Sequence, residues 1–295
     1  MRKAPLVLLL AGTVVVASGC RRSIDGSPTP APAPPEVSQT VAPGQGADAP
    51  SVAPIKPLPG IAEEHPAPAN LPSLDVAETA RAAKPDGAKE NLTLAYCYYQ
   101  AKAFAQAAPA FERAVQLSPK DPTPYLYLGY TQMTAGALDS AVKTFDSVLN
   151  IPDISRDVLS LAYLNKGYAL GALGKKQPAR EAFVQALGNN TRQGLASLAL
   201  GGFAAEQKQT TQARDFFADA ARDLPPGRHQ ARAFAGLGLL SEQAGDVKAA
   251  RAYYKQALAA NKEDEDTWAR DGLKRLANKP DTGAKSGMGK SPKAG

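Results

Sequence analysis

The amino-acid sequence predicts an all-α chain, a right-handed solenoid of five helix pairs over about 88–264 with a half-repeat helix at each end. Three observations predict it. A period of 34 residues restarts at Ala88, Pro122, Ser160, Gly194 and Ala231. Two columns in that period hold small residues, as they must where two helices cross closely. Position 8 reads Ala95, Gly129, Gly167, Gly201 and Gly238, and position 20 reads Ala107, Ala141, Ala179, Ala213 and Ala250. Such small residues leave a gap that a large knob has to fill, and position 24 is aromatic in every copy: Phe111, Phe145, Phe183, Phe217 and Tyr254.

The elements follow in chain order. Counting one period back from Ala88 places Ala77, Ala80 and Pro85 at positions 24, 27 and 32, so residues 73–84 are expected to form a lone second helix. The pairs then occupy 88–121, 122–155, 160–193, 194–227 and 231–264, with Pro119 and Pro225 closing the first and fourth. Position 4 carries a large side chain in Tyr125, Tyr163 and Phe234 but not in Asn91 or Ser197, so the first helix of repeat four is expected to be the loosest. The repeat starts are 34, 38, 34 and 37 residues apart, and the insertions, Arg156–Leu159 and Arg228–Gln230, are expected in loops. Counting forward puts Trp268 at position 4 and Gly272 at position 8. Residues 266–277 then read as a capping first helix whose Arg270, Lys274 and Arg275 face water.

Four columns agreeing in five copies resemble the tetratricopeptide-repeat family across residues 73–277. The resemblance implies a concave groove lined by the first helix of each pair at positions 2, 5, 9 and 12. In this chain position 5 is Leu92, Leu126 and Leu164 in the first three repeats, position 9 is Tyr96, Tyr130 and Tyr168, and position 12 begins Tyr99 and Met133. Tyr127 and Asn165 stand beside them, whereas repeat four offers mostly small residues. The expectation is an aromatic wall with room next to it, able to take an extended peptide or an amphipathic helix, with Asn165 holding a peptide amide. The alternative is that the tyrosines close the groove by packing on one another or on the preceding segment. The clamp with which some family members hold chaperone carboxylates is absent, because the positions flanking Asn165 are Leu126, Tyr130, Leu195 and Ala199.

The N-terminus addresses the location. Arg2 and Lys3 precede the apolar run Leu6–Val16, which ends in Ala17-Ser18-Gly19-Cys20. This order resembles a bacterial lipobox, which implies a signal peptide over 1–19 and a lipidated Cys20 anchored in a bilayer and facing the periplasm. Arg21, in place of Asp, resembles lipoproteins sorted to the outer membrane. Residues 20–72 are rich in Pro and Ala and are expected to form a disordered tether, roughly 150 Å long if fully extended at about 3.1 Å per residue.

Composition narrows the chemistry. The formal charge of +6 resides in Arg2, Lys3, Arg21, Arg22 and the tail beyond residue 278, leaving residues 23–278 at −1, so no nucleic-acid partner is expected. That tail, 278–295, reads as basic and disordered. Cys97 alone remains once Cys20 is lipidated, and between Tyr96 and Tyr98 it reads as a buried small hydrophobe. His65 and His229 have no partner at metal or catalytic spacing, so neither a metal, a cofactor nor a catalytic site is expected. Glu263–Asp266 suits a helix start, and Gly201-Gly202 and Gly236–Gly238 read as helix-packing glycines rather than phosphate loops. The sequence thus points to a non-enzymatic, lipid-anchored scaffold that binds a protein or peptide segment of the envelope, in a layout resembling type IV pilus pilotins. Its alternatives are a structural homo-oligomer and an accessory subunit of an envelope enzyme.

Overall fold

The computed structural model describes residues 66–261 and 268–283. The signal 1–19, Cys20, the tether up to His65, the acidic run Glu263–Asp266 and the tail from 284 lie outside the described residues. Twelve α-helices and no strands occur among the described residues. A capping helix α1 (Leu74–Ala83) precedes five pairs: α2 (Ala88–Gln100) with α3 (Phe104–Leu117), α4 (Pro122–Thr134) with α5 (Leu138–Leu149), and α6 (Arg156–Ala172) with α7 (Lys176–Asn189). Next come α8 (Gly194–Glu206) with α9 (Thr210–Asp223) and α10 (Arg228–Gln243) with α11 (Val247–Ala260), and α12 (Trp268–Leu276) closes the array. Each helix packs on its neighbours in sequence. First helices also touch across repeats, as α4 with α6 and α8 with α10, which makes a solenoid of the pairs.

The small-and-large code works as the sequence implies. A Cβ on Gly129 would lie 2.5 Å from the Phe145 ring, on Gly167 2.7 Å from Phe183 and on Gly201 2.6 Å from Phe217. The position-24 ring thus sits directly on the backbone of its partner helix. It also reaches the next repeat: the Phe217 ring would meet a Cβ on Gly236 at 2.8 Å, and the Tyr254 ring one on Gly272 at 2.4 Å. Every position-20 alanine and every position-24 ring is buried. The glycines at 201, 236 and 238 are therefore packing residues.

Position 15, which periodicity alone did not single out, ends the first helix of each of the five pairs in the left-handed region. It is Gly136, Gly174 and Gly245 in three repeats, with φ of 77°, 75° and 77°, and Lys102 and Lys208 in the others, with φ of 57° and 58°. Glycine takes this conformation at no steric cost.

Four expectations are corrected. The insertions do not widen loops; they lengthen helices. Arg156–Leu159 becomes the first turn of the 17-residue α6 and Arg228–Gln230 that of the 16-residue α10, against 13 residues in α4. The added turns are held at both places. Ser155 caps α6 by accepting from the Val158 amide at 3.3 Å, and Gln230 Nε2 donates to the carbonyls of Ala221 and Leu224 at the end of α9, both at 2.9 Å. The first helix of repeat four is not loose. Its small residues let neighbours close in until nine of its 13 residues are buried, and Phe203, 6.3 Å from the Phe183 ring, supplies the missing bulk. In repeat one, the departure at position 4 has its own purpose: buried Asn91 donates to the carbonyls of Pro85 (2.9 Å) and Gly87 (2.8 Å), fastening the turn from α1.

The third correction concerns the tail. Residues 279–282 are strapped to the last repeat: Arg251 binds the carbonyls of Leu276 and Lys279 and pairs with Asp281, while Thr282 Oγ1 donates to the Gly245 carbonyl at 2.8 Å. The fourth is that residues 66–72, assigned to the disordered tether, pack on the solenoid: Ala67 and Leu71 lie against its core.

Glu242 docks the C-terminal cap by accepting from Tyr254 Oη at 2.8 Å and from Arg275 Nε and Nη2 at 3.1 and 2.9 Å. Burial pushes this carboxyl up, but the hydrogen bonds from Arg275 and Tyr254 and the Arg275 charge outweigh it and hold the pKa below the ordinary value. A folded-state pKa below the unfolded one means that the stabilisation is present above the unfolded pKa and is lost as pH falls through the folded one. Glu242→Gln is expected to lower stability at pH 7 by about 1–2 kcal/mol and to flatten the acid dependence between about pH 5 and pH 3. Urea unfolding at pH 7, 5 and 3 checks it, and an acid slope equal to that of the parent chain excludes this role for Glu242.

Candidate functional site: the aromatic face of the first helices

Helix periodicity puts positions 5, 9 and 12 on one face of each first helix, so α2, α4 and α6 bring the expected groove residues together. They do not form an open wall. Tyr96, Tyr99, Leu126, Tyr130, Met133, Leu164, Asn165 and Tyr168 are all buried, and only Leu92 and Tyr127 are partly exposed. The small residues at positions 8 and 20 draw the helices so close that positions 9 and 12 face the seam between repeats.

The rings interlock around Tyr127. Its ring centroid is 4.8 Å from Tyr96, 5.4 Å from Tyr99 and 5.6 Å from Tyr130, each edge to face, and it stacks on Phe111 at 5.8 Å. Such pairs contribute roughly 0.5–1.5 kcal/mol each beyond the area they bury. Farther along, Tyr168 meets Phe183 edge to face at 5.0 Å and donates to the Leu195 carbonyl at 3.4 Å. Asn165, expected to hold a ligand amide, instead donates to the Leu161 carbonyl at 2.7 Å and stands 3.5 Å from Tyr130 Oη.

The polar chemistry of this face consists of phenol hydroxyls. Burial pushes the Tyr96, Tyr99 and Tyr130 hydroxyls well above their ordinary pKa, reinforced by the proximity of Tyr127, so they stay protonated. Tyr127 Oη donates to the main-chain carbonyl of Pro66 at 2.8 Å. Beside it, the buried Tyr99 hydroxyl has no hydrogen-bond partner. Cys97, whose thiol burial also pushes up, donates from Sγ to the Pro72 carbonyl at 3.4 Å. Residues 66–72 thus run along this face to the start of α1. Periodicity could not place them, because they lie outside the repeats; packing of the tyrosines on the preceding segment was expected only as the alternative to an open groove.

Among the described residues, no group of three or more metal-ligating side chains is clustered, and no helix is long and apolar enough to cross a membrane. The stacked helix pairs and their shared first-helix face define a helical-repeat scaffold, a class built for protein–protein interaction. Tetratricopeptide-repeat models match residues 73–122 and 164–228, 98–153, and 231–264, and this chain belongs to the tetratricopeptide-repeat family.

Solved structures share the fold. PilW, described as a widely conserved type IV pilus biogenesis factor, is 20% identical with a TM-score of 0.54, over 68% of this chain and 88% of that one. YrrB, described as a tetratricopeptide-repeat protein with an unusual peptide-binding site, is 17% identical with a TM-score of 0.50, over 68% of this chain and all of that one. The Cut9–Hcn1 assembly of the APC/C matches at 17% identity and a TM-score of 0.55 over 68% of this chain. That match spans only 39% of the larger protein. No curated protein sequence matches the chain.

Proposed function

We propose that this chain is a non-enzymatic adaptor of the bacterial envelope, anchored to lipid through Cys20, whose first-helix face holds a peptide segment of a partner protein. The observation that carries the reading is the Tyr127–Pro66 hydrogen bond. The face already holds irregular backbone by donating to a main-chain carbonyl and by covering Ala67 and Leu71, which is how a non-helical peptide is gripped. The pilus-biogenesis and peptide-binding proteins that share the fold are consistent with this reading, as analogies only. An envelope machine such as a pilus, secretin or cell-wall complex is the expected setting, with the outer membrane favoured over the inner by Arg21.

Two experiments test it. Cys20→Ser removes the acylation site and is expected to move nearly all of the protein from the membrane to the soluble fraction; membrane fractionation unchanged from the parent chain refutes the anchor. A photo-crosslinking residue in place of the partly exposed Leu92 is expected to join the chain to one envelope protein in growing cells. Crosslinks confined to the chain itself refute the adaptor.

A further inference from the structure

We propose that the face formed by α2 and α4 is a site for a proline-rich, non-helical peptide segment, and that Pro66–Pro72 is its built-in occupant, which a partner must displace. This rests on the adaptor reading and supplies the chemistry of the ligand and the regulation of the site.

The argument starts from what a proline tract offers. Proline lacks an N–H, so such a segment presents carbonyl acceptors and apolar rings but few donors, and a site for it has to donate. This face does. Tyr127 Oη and Cys97 Sγ donate to the carbonyls of Pro66 and Pro72, the two ends of the resident segment, and both acceptors belong to prolines. Tyr99 carries a further buried hydroxyl without a partner, one ring away from Tyr127. A buried phenol left unpaired costs free energy that a second ligand carbonyl recovers. Tyrosine rings also suit pyrrolidine rings, because the polyproline conformation is preformed and little entropy is lost on docking.

A helical ligand is disfavoured by the same facts, since it spends its own carbonyls internally and leaves the tyrosine donors unmatched. The resident segment, Pro66-Ala67-Pro68-Ala69-Asn70-Leu71-Pro72, forms no helix or strand. It bends at Asn70, whose φ of 64° is one that asparagine tolerates, and Leu71 then packs both on the main core and on the small cluster of Ala77, Leu94 and Cys97. It continues straight into α1, so its effective concentration at the site is in the millimolar range or above, and a free ligand of equal intrinsic affinity is held off.

The test uses the full chain and a fluorescein-labelled peptide of the sequence Pro-Ala-Pro-Ala-Asn-Leu-Pro, read by anisotropy. Ala67→Asp with Leu71→Asp should release the resident segment and tighten peptide binding at least tenfold over the parent chain. Adding Tyr127→Phe should weaken it again by three- to tenfold, and a peptide with serine in place of each proline should not bind. Equal affinity of parent and released chains, or equal competition by a leucine-rich helical peptide, overturns the proposal.

If the aspartate variant fails to fold, the backbone amide resonances of the parent chain decide. Millimolar peptide is expected to move those of Ala69, Asn70 and Leu71 to random-coil positions as the segment leaves the face, and unchanged shifts overturn the proposal. A Leu92 crosslink to an envelope protein in a chain that ignores the peptide overturns this inference alone and leaves the adaptor standing.

Discussion

Phe183→Ala is expected to lower the stability of the folded chain by about 3–5 kcal/mol, the range for deleting a fully buried aromatic side chain. The ring is wholly buried in the central repeat, where it covers the Gly167 backbone and lies 5.0 Å from Tyr168 and 6.3 Å from Phe203. Helices held apart on every side by their own backbones cannot collapse into such a space, so the cavity persists. Gly167 supplies a check of sign. In the parent chain Gly167→Ala places a Cβ 2.7 Å from the ring and is expected to destabilise. In the Phe183→Ala background the obstruction is gone, and the same change should stabilise by up to about 1 kcal/mol through helix propensity. A coupling of at least about 1 kcal/mol in the double-mutant cycle, from urea unfolding followed by circular dichroism, is the expected result; additivity within about 0.3 kcal/mol refutes the knob-and-gap account. Because repeats contact only their neighbours, the variant is also expected to lose cooperativity, its halves unfolding at separate urea concentrations.

Tyr130→Ala is expected to cost a similar amount, about 3–5 kcal/mol, although position 9 reads as a binding position in the family pattern. The ring is 2% exposed, packed between Tyr127 at 5.6 Å and Phe145 at 6.1 Å. Tyr130→Phe keeps the packing and removes only the hydroxyl near Asn165, so about 1 kcal/mol is expected for it. The contrast between the two variants in thermal or urea unfolding measures how much of this residue belongs to the core. A Tyr130→Ala chain as stable as the parent refutes the buried assignment. Loss of partner binding in that variant reports unfolding of the second repeat, whereas substitution of the partly exposed Leu92, or Tyr127→Phe, which keeps the ring and removes only the hydroxyl, reports contact.

The array itself was legible in the chain because its determinants are local. Position 8 and position 24 lie 16 residues apart in the same repeat, as with Gly129 and Phe145, so their complementarity recurs at a fixed distance and can be read without knowing the fold. The half-repeat caps are legible for the same reason, since Pro85 and Gly272 continue the columns beyond the last complete copies. The residues expected in the groove do come together on α2, α4 and α6, where most of them are buried. Their exposure was not legible: the position-9 column records which face of a helix a residue occupies, while the spacing of neighbouring helices decides whether that face is open.

Three features belonged to the tertiary structure alone. The insertions became helical turns because Ser155 and Gln230 found partners there, and nothing in a count of residues separates a longer helix from a longer loop. Position 15 adopts the left-handed conformation even as Lys102 and Lys208, because the turn between paired helices imposes it whatever the side chain. The segment Pro66–Pro72 lies on the aromatic face through a hydrogen bond spanning 61 residues, between a proline-rich stretch and a tyrosine that share no periodic relation. The sequence by itself determined the repeat, its number and its packing code, since these are set by near neighbours that recur. Tertiary structure decided what covers the face, because that contact depends on where two distant parts of the chain meet once the helices have stacked.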